Sequence, residues 1–220
     1  MTWTSQGWVD EDVAAQAPAW LQPVIALTRD VHVDALTPFA PEPGVGRHSA
    51  VLVLFGQRDG TPDIVLIRRS EGTRSHAGQP AFPGGAVETT DASAVAAALR
   101  EAQEEAGVDP ASVAVLGALP DVWVSVSNYV VTPVLGWWRA PHPLAVRDHD
   151  EVHSVHRITI DALTDPQHRV RVRHPSGYVG NGFVVDDLLI WGFTAGILST
   201  LFEQVGWAKP WDPSRIVELT

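Results

Sequence analysis

From residue 50 the chain opens with an unbroken apolar run, Ala50 to Phe55, and a second run, Ile64 to Ile67, follows a polar turn containing Asp59-Gly60. Short apolar runs without polar alternation read as strands buried on both faces, and the Asp-Gly pair between them reads as a hairpin. Residues 68–85 are punctuated by Gly and Pro and read as a long functional loop with short extended pieces. Residues 91–106 then change period. Val95, Leu99, Ala102 and Ala106 recur at i, i+4, i+7 and i+11, one stripe of a helix rich in Ala, Leu, Glu and Gln, with Gly107 as its stop. Further strands are expected over 113–119 and 129–138, with less regular ones over 151–160 and 169–174. An extended segment is expected over 178–185 and a second helix over 188–205. Strands before, between and after two helices predict an α+β sandwich rather than regular βαβ alternation. Residues 1–45, Trp-punctuated and Pro-rich at their end, read as an N-terminal arm and linker. A main domain is expected over 46–205 and a tail over 206–220.

Composition narrows the chemistry. The 220 residues carry a net charge of −11, which argues against nucleic acid as a partner, because polyanion binding calls for a basic face. The chain has no cysteine, which removes disulfides, thiolate metal sites and cysteine nucleophiles together. The longest charge-free runs, 13–28 and 122–138, are interrupted by Pro or by Ser and Asn, so no membrane span is expected. The first basic residue is Arg29, leaving no charged start for a signal peptide. A cytoplasmic protein is the expectation.

Within the predicted helix, Glu101, Glu104 and Glu105 share one arc, roughly opposite the apolar stripe. Clustered carboxylates repel unless a cation lies among them, and hard oxygen ligands suit Mg²⁺ or Mn²⁺. By themselves three glutamates more often form a solvated acidic face, and it is the surrounding pattern that changes the weighting. The surrounding pattern, Gly85, Asp91 and then Arg100-Glu101-x-x-Glu104-Glu105-x-Gly107-Val108, resembles the Nudix box. Compared with the general box, one extra residue separates Asp91 from Arg100. Upstream, Leu66-x-x-Arg69-Ser70-x-x-x-Arg74-x-His76-x-Gly78-x-x-x-Phe82-Pro83-Gly84-Gly85 is similar to the motif marking the coenzyme A diphosphatase branch of that family, whose box carries the same expansion. Ile190-Trp191-Gly192-Phe193-Thr194 resembles a C-terminal element of the branch.

The resemblance implies a Nudix-type α/β/α sandwich with a mixed sheet. It also implies metal-dependent hydrolysis of the diphosphate of coenzyme A or its thioesters, giving 3′,5′-adenosine bisphosphate and 4′-phosphopantetheine or its acyl derivative. Glu101, Glu104 and Glu105, with the Gly85 carbonyl, would be the ligands of Mg²⁺ or Mn²⁺. Which glutamate binds more strongly, or acts as base, stays open. Arg100 is expected to orient a carboxylate, Asp91 or Glu104, through a bidentate pair. Arg69, Arg74, His76 and Gly84 are the substrate-side candidates, since an anion approaching an acidic protein needs a local cationic entrance. Asp91 and Glu151 are candidate accessory acids. Other nucleoside diphosphate derivatives, such as ADP-ribose or a dinucleotide, and a non-catalytic metabolite-binding module are the alternatives. Arg169, Arg171 and Arg173 alternate along a strand and read as an exposed basic stripe. His153 and His156, three apart in a strand, face opposite sides and read as non-ligands. The arm and the nine tryptophans are compatible with a homodimer.

Overall fold

The computed structural model describes residues 4–36, 46–72, 77–125 and 127–219. In chain order the elements are β1 (Trp8–Val9), α1 (Glu11–Ala14), α2 (Gln22–Asp30), β2 (Arg47–Arg58), β3 (Thr61–Arg69), β4 (Pro80–Ala81) and β5 (Gly84–Ala86). Next come α3 (Ala94–Ala106), β6 (Val113–Ala118), β7 (Val122–Val124), β8 (Tyr129–Trp138), β9 (Val152–Thr159) and α4 (Ile160–Thr164). The chain closes with β10 (Arg169–Arg173), β11 (Val179–Val185), β12 (Leu188–Ile190), α5 (Gly192–Gln204) and β13 (Ile216–Glu218).

Strand β2 is the centre of a mixed sheet. It runs parallel to β8 and antiparallel to β3 and β5, while β6 and β7 pair with β8, and β4 and β9 with β3. Its apolar run is continuous because both faces are covered. Leu52 and Leu54 join Val65 and Ile67 under α3, in a cluster with Ala98, Ala102 and Ala106. Val53 and Phe55 join Ile64 and Leu66 in the opposite core, with Val24 and Ile25 of α2 and Leu198, Leu201 and Phe202 of α5. Alternation at period two thus distributes one strand between two cores, giving an α/β/α sandwich of the α+β class.

Helix α3 begins later than its composition suggests. Ser93 is the N-cap, its hydroxyl accepting the Ala96 N–H at 3.2 Å, so Asp91 lies in the turn before the helix. At the other end the Gly107 N–H bonds back to Ala102 and Gln103.

Two other expectations change. Residues 188–205 are not one helix: Leu188–Ile190 pairs with β11 as an edge strand, and only from Gly192 does the chain turn helical. Uniform apolar content hides that break, since strand and helix here are both buried. The alternating arginines of β10 are not an exposed stripe. Arg169 is 1% exposed, lying 4.7 Å from the Phe183 ring centre and 4.9 Å from that of Trp211, while Arg171 is half-buried and Arg173 exposed. The residues after Gly206 cover Arg169 and supply β13, which runs parallel to β10 in a second sheet ordered β12-β11-β10-β13. Similarly, β1 adds to the main sheet beside β6, and the Asp121 carboxylate accepts the Thr4 N–H at 2.9 Å and the Thr132 hydroxyl at 2.5 Å. Trp20 and Trp207 pack together with ring centres 6.5 Å apart, and Trp138 is buried, so these aromatics serve the chain's own packing. Among the described residues no helix is long and apolar enough to cross a membrane.

Candidate functional site

The site is assembled where β5 meets α3. Gly84 and Gly85 lie against β2 on one side and the helix on the other. A Cβ on Gly85 would stand 2.6 Å from the Glu101 carboxyl carbon, and one on Gly84 would stand 2.6 Å from Val51 Cα. The backbone therefore approaches both the carboxylate and the central strand more closely than any side chain permits.

Arg100 organises the acids. Its Nε and Nη2 donate to the two oxygens of Asp91 at 3.1 and 3.0 Å, in the bidentate manner. Nη1 donates to Glu101 at 3.0 Å and to Glu104 at 2.9 Å, and Nη2 also reaches the Ala86 carbonyl at 3.1 Å. The guanidinium holds the Asp91 carboxyl below its ordinary range, while the acids raise Arg100 in return. Burial moves Glu101 the other way, upward, against the pull of Arg100.

Glu105 differs from both neighbours. It is 2% exposed, and burial pushes its pKa up to about 8 although the Gly84 N–H donates to Oε2 at 2.9 Å. Its Oε1 is buried with no hydrogen-bond partner. Arg69 comes nearest, with Nη1 3.8 Å from Oε1, and the same guanidinium lies 3.6 Å from Glu151. Arg69 thus sits between a buried carboxyl on α3 and an exposed one before β9.

This geometry corrects the expected arrangement of the helix. The acidic arc adjoins the buried stripe instead of opposing it. Glu104 faces solvent, Glu101 is half-buried, and Glu105 lies among the buried positions with Ala98 and Ala102. The buried face is turned toward Ala98 because small alanines let α3 approach the sheet, leaving Val95 and Leu99 only half covered.

Arg100, Glu101, Glu104, Glu105, Gly84, Gly85, Asp91, Arg69 and Glu151 are thereby drawn into one region. Arg74 and His76 lie outside the described residues. His153 is exposed and His156 half-buried beside the Ser154 hydroxyl, 2.7 Å away, neither near the acids. One participant carried no sequence signal, the Ala86 carbonyl, since any residue supplies it, and Gly84, expected on the substrate side, instead donates its N–H to Glu105. The inward aim of Arg69 was available from alternation: it follows Val65 and Ile67 on the face that α3 covers.

Among the described residues no three acid or histidine side chains converge closely enough to hold a metal ion as they stand. Arg100 occupies the middle of the carboxylates, where a cation would compete with it. The donors nonetheless fit a hard divalent ion: carboxylate and carbonyl oxygens only, with one buried carboxyl oxygen lacking any hydrogen-bond partner.

A family model described as NUDIX domain matches residues 46–176. The chain is 43% identical over 172 residues to "Uncharacterized Nudix hydrolase NudL" of Escherichia coli strain K12, covering 74% of this chain and 85% of that one. It is 42% identical over 177 residues to the protein of that name in Shigella flexneri serotype 5b, covering 77% and 88%. Among solved structures, a MutT/nudix family protein from Enterococcus faecalis aligns with a TM-score of 0.49 at 16% identity, covering 88% of this chain and 71% of that one. A Nudix hydrolase from M. smegmatis, RenU, aligns at 0.47 and 19%, covering 75% and 90%.

Proposed function

Since this chain belongs to the Nudix family, hydrolases of phosphoanhydride bonds in nucleoside diphosphate derivatives, we propose that its substrate is coenzyme A or a coenzyme A thioester. The observation that carries this reading is Arg69. It belongs to the upstream signature that resembles the coenzyme A branch, and its guanidinium lies against Glu105 and Glu151, so signature and carboxylate face form one site. Arg74, five residues after Arg69 in the same signature, supports it as a second cation for a polyanionic substrate, whereas Arg58 lies at the β2–β3 turn and Arg68 on the other face of the sheet.

Glu101, Glu104 and Glu105, with the Gly85 carbonyl, would hold the divalent ion that the family uses, Mg²⁺ or Mn²⁺ in this reading. When bound, such an ion neutralises diphosphate oxygens and lowers the pKa of a water. The remaining work falls to the chain. Arg100 keeps Glu101 and Glu104 in place and must yield part of its hold on them when the site loads. Glu105, protonated near neutrality by its burial, has to release that proton before its free oxygen can act as a ligand. Arg69 offers the cation nearest to that oxygen and stands where one end of the diphosphate would enter. Glu151, exposed and 3.6 Å from Arg69, is the acid placed to accept a proton from the attacking water. Overall, water adds to one phosphorus, the P–O–P bridge breaks, and 3′,5′-adenosine bisphosphate leaves 4′-phosphopantetheine or its acyl form.

Incubation with coenzyme A and Mg²⁺ or Mn²⁺, followed by mass spectrometry of the products, tests the reading. Those two products are expected. Intact coenzyme A under both metals, with ADP-ribose or a dinucleotide cleaved by the same preparation, would reassign the substrate.

A further inference from the structure

A second concavity lies back to back with the carboxylate site. Arg68 and Arg69 are consecutive on β3, their Cα atoms about 3.8 Å apart. Strand alternation sends them to opposite sides of the sheet. Arg69 follows Val65 and Ile67 toward α3, and Arg68 follows Ile64 and Leu66 toward the core of α5. On that side Arg68 lines a cavity of about 440 Å³ with Gly78, His174, Asp187, Leu188 and Trp191. The groove therefore draws on the upstream motif through Gly78 and on the C-terminal element through Trp191, a feature the hydrolytic site leaves unused.

Its chemistry is that of a platform for an uncharged ring. The Trp191 and His174 rings lie 5.9 Å apart between centres, tilted by 31°. The Ser176 N–H lies 3.1 Å from His174 Nδ1 and its hydroxyl 2.8 Å away, which holds the ring in place. Arg68 is offset by Glu71, 3.5 Å away, and Asp187 adds a second carboxylate to the wall. Among the described residues one guanidinium faces two carboxylates, with no surplus of positive charge for a phosphate. Indole and imidazole offer π faces, and Asp187 offers an acceptor for an exocyclic amine. An acyl or pantetheine chain would gain nothing from those charges.

We propose that this groove seats the purine base of the substrate, stacked on Trp191, while the diphosphate passes the C-terminal end of β3 to the carboxylate site. The inference rests on hydrolysis of nucleoside diphosphate derivatives and not on coenzyme A in particular, since adenine is common to coenzyme A, ADP-ribose and adenine dinucleotides.

The test compares AMP with ribose 5-phosphate by calorimetric titration. The pair shares the phosphate and differs in the base, and neither contains an anhydride to cleave. Wild type is expected to bind AMP more tightly. Trp191→Ala should lower AMP affinity about tenfold to a hundredfold and leave ribose 5-phosphate unchanged, with Trp191→Phe keeping most of the difference. His174→Ala, at an exposed position that the fold does not depend on, should cost AMP severalfold, and it carries the test if Trp191→Ala does not fold. Equal affinity of wild type for the two ligands, or an AMP affinity untouched by these changes, would overturn the proposal. So would a loss confined to 4′-phosphopantetheine, which would assign the groove to the other arm. Coenzyme A left uncut while AMP binding still depends on Trp191 would remove the coenzyme A reading alone. Coenzyme A cleaved with AMP indifferent to Trp191 would remove this one alone.

Discussion

Gly84 and Gly85 make an informative pair: an added methyl group meets a similar overlap at each but against different atoms, and at Gly84 the φ of +158° adds backbone strain of its own. At Gly85 the new Cβ would stand 2.6 Å from the Glu101 carboxyl carbon; at Gly84 it would stand 2.6 Å from Val51 Cα. Ordinary contact begins at 3.4 Å, so at least 0.8 Å must be found in either case (3.4 − 2.6), and the nearest oxygens, Glu101 Oε1 at Gly85 and the Ala50 carbonyl at Gly84, stand closer still. The Glu101 carboxyl is the end of a flexible side chain and can swing away, giving up its 3.0 Å bond from Arg100. Val51 Cα is backbone of the central strand, flanked by β5 and β8, and can move only by opening that pairing. Gly85→Ala should therefore fold with a Tm close to wild type and lose roughly 10²-fold in kcat/KM, the order associated with a misplacement of about 1 Å in a catalytic group. Gly84→Ala should lose about 1–3 kcal/mol or more of stability, the range for overpacking a rigid core. Thermal unfolding and turnover of whichever diphosphate substrate the wild type cleaves separate the two. A Gly85→Ala enzyme with wild-type kcat/KM would refute the placement of Glu101 against the Gly85 backbone. A Gly84→Ala protein as stable as wild type would refute the rigidity assigned to Val51.

Other perturbations probe different parts of the molecule. Glu104→Gln and Glu105→Gln should each lower kcat by orders of magnitude with folding retained, as far-UV circular dichroism and turnover would report; near-wild-type kcat in both would remove the acids from the reaction. Arg169→Met should cost less than about 1 kcal/mol in urea denaturation, or stabilise, because two buried guanidinium nitrogens lack partners in the native fold. Arg169→Ala, which leaves the space between Phe183 and Trp211 unfilled, should cost about 2 kcal/mol or more. His156 gives a pH dependence: burial lowers its pKa from 6.5, so the unfolded chain takes up a proton that the folded one resists. Its contribution to stability is intact above pH 6.5 and declines as pH falls from there toward the folded value, by at most about 1.4 kcal/mol per pH unit. His156→Gln should flatten the stability profile below pH 6.5 and leave it unchanged above, and an unchanged slope below pH 6.5 would exclude it.

How much of this was readable beforehand depends on whether the property is periodic. The β2–β3 hairpin followed from two apolar runs around Asp59-Gly60, because strands buried on both faces need nothing but apolar side chains. Helix α3 followed from composition and spacing, but its start did not: Asp91 and Ser93 are both good N-caps, and only the geometry selects Ser93. The second helix was overrun at its start because strand and helix alike use buried Leu and Ile, so residues 188–190 gave no change of period. Arg169 misled for the opposite reason. Alternation correctly put it on one face of β10, but exposure of that face depends on what a distant segment covers, and residues after Gly206 cover it.

The same division runs through the site. Spacing alone groups Glu101, Glu104 and Glu105, but it cannot rank them, since all three lie within one arc of a helix. The ranking comes from the width of the residues opposite. Alanine at 98, 102 and 106 draws α3 onto Leu52 and Leu54, and that approach buries Glu105 while leaving Glu104 in water. One carboxyl of the three thus has its pKa pushed up to about 8 and one oxygen without a hydrogen bond, and the cause lies in small side chains on its flank. Enlarging Ala98 or Ala102 should lift the helix and return Glu105 toward an ordinary carboxylate, altering the site without touching any acid in it.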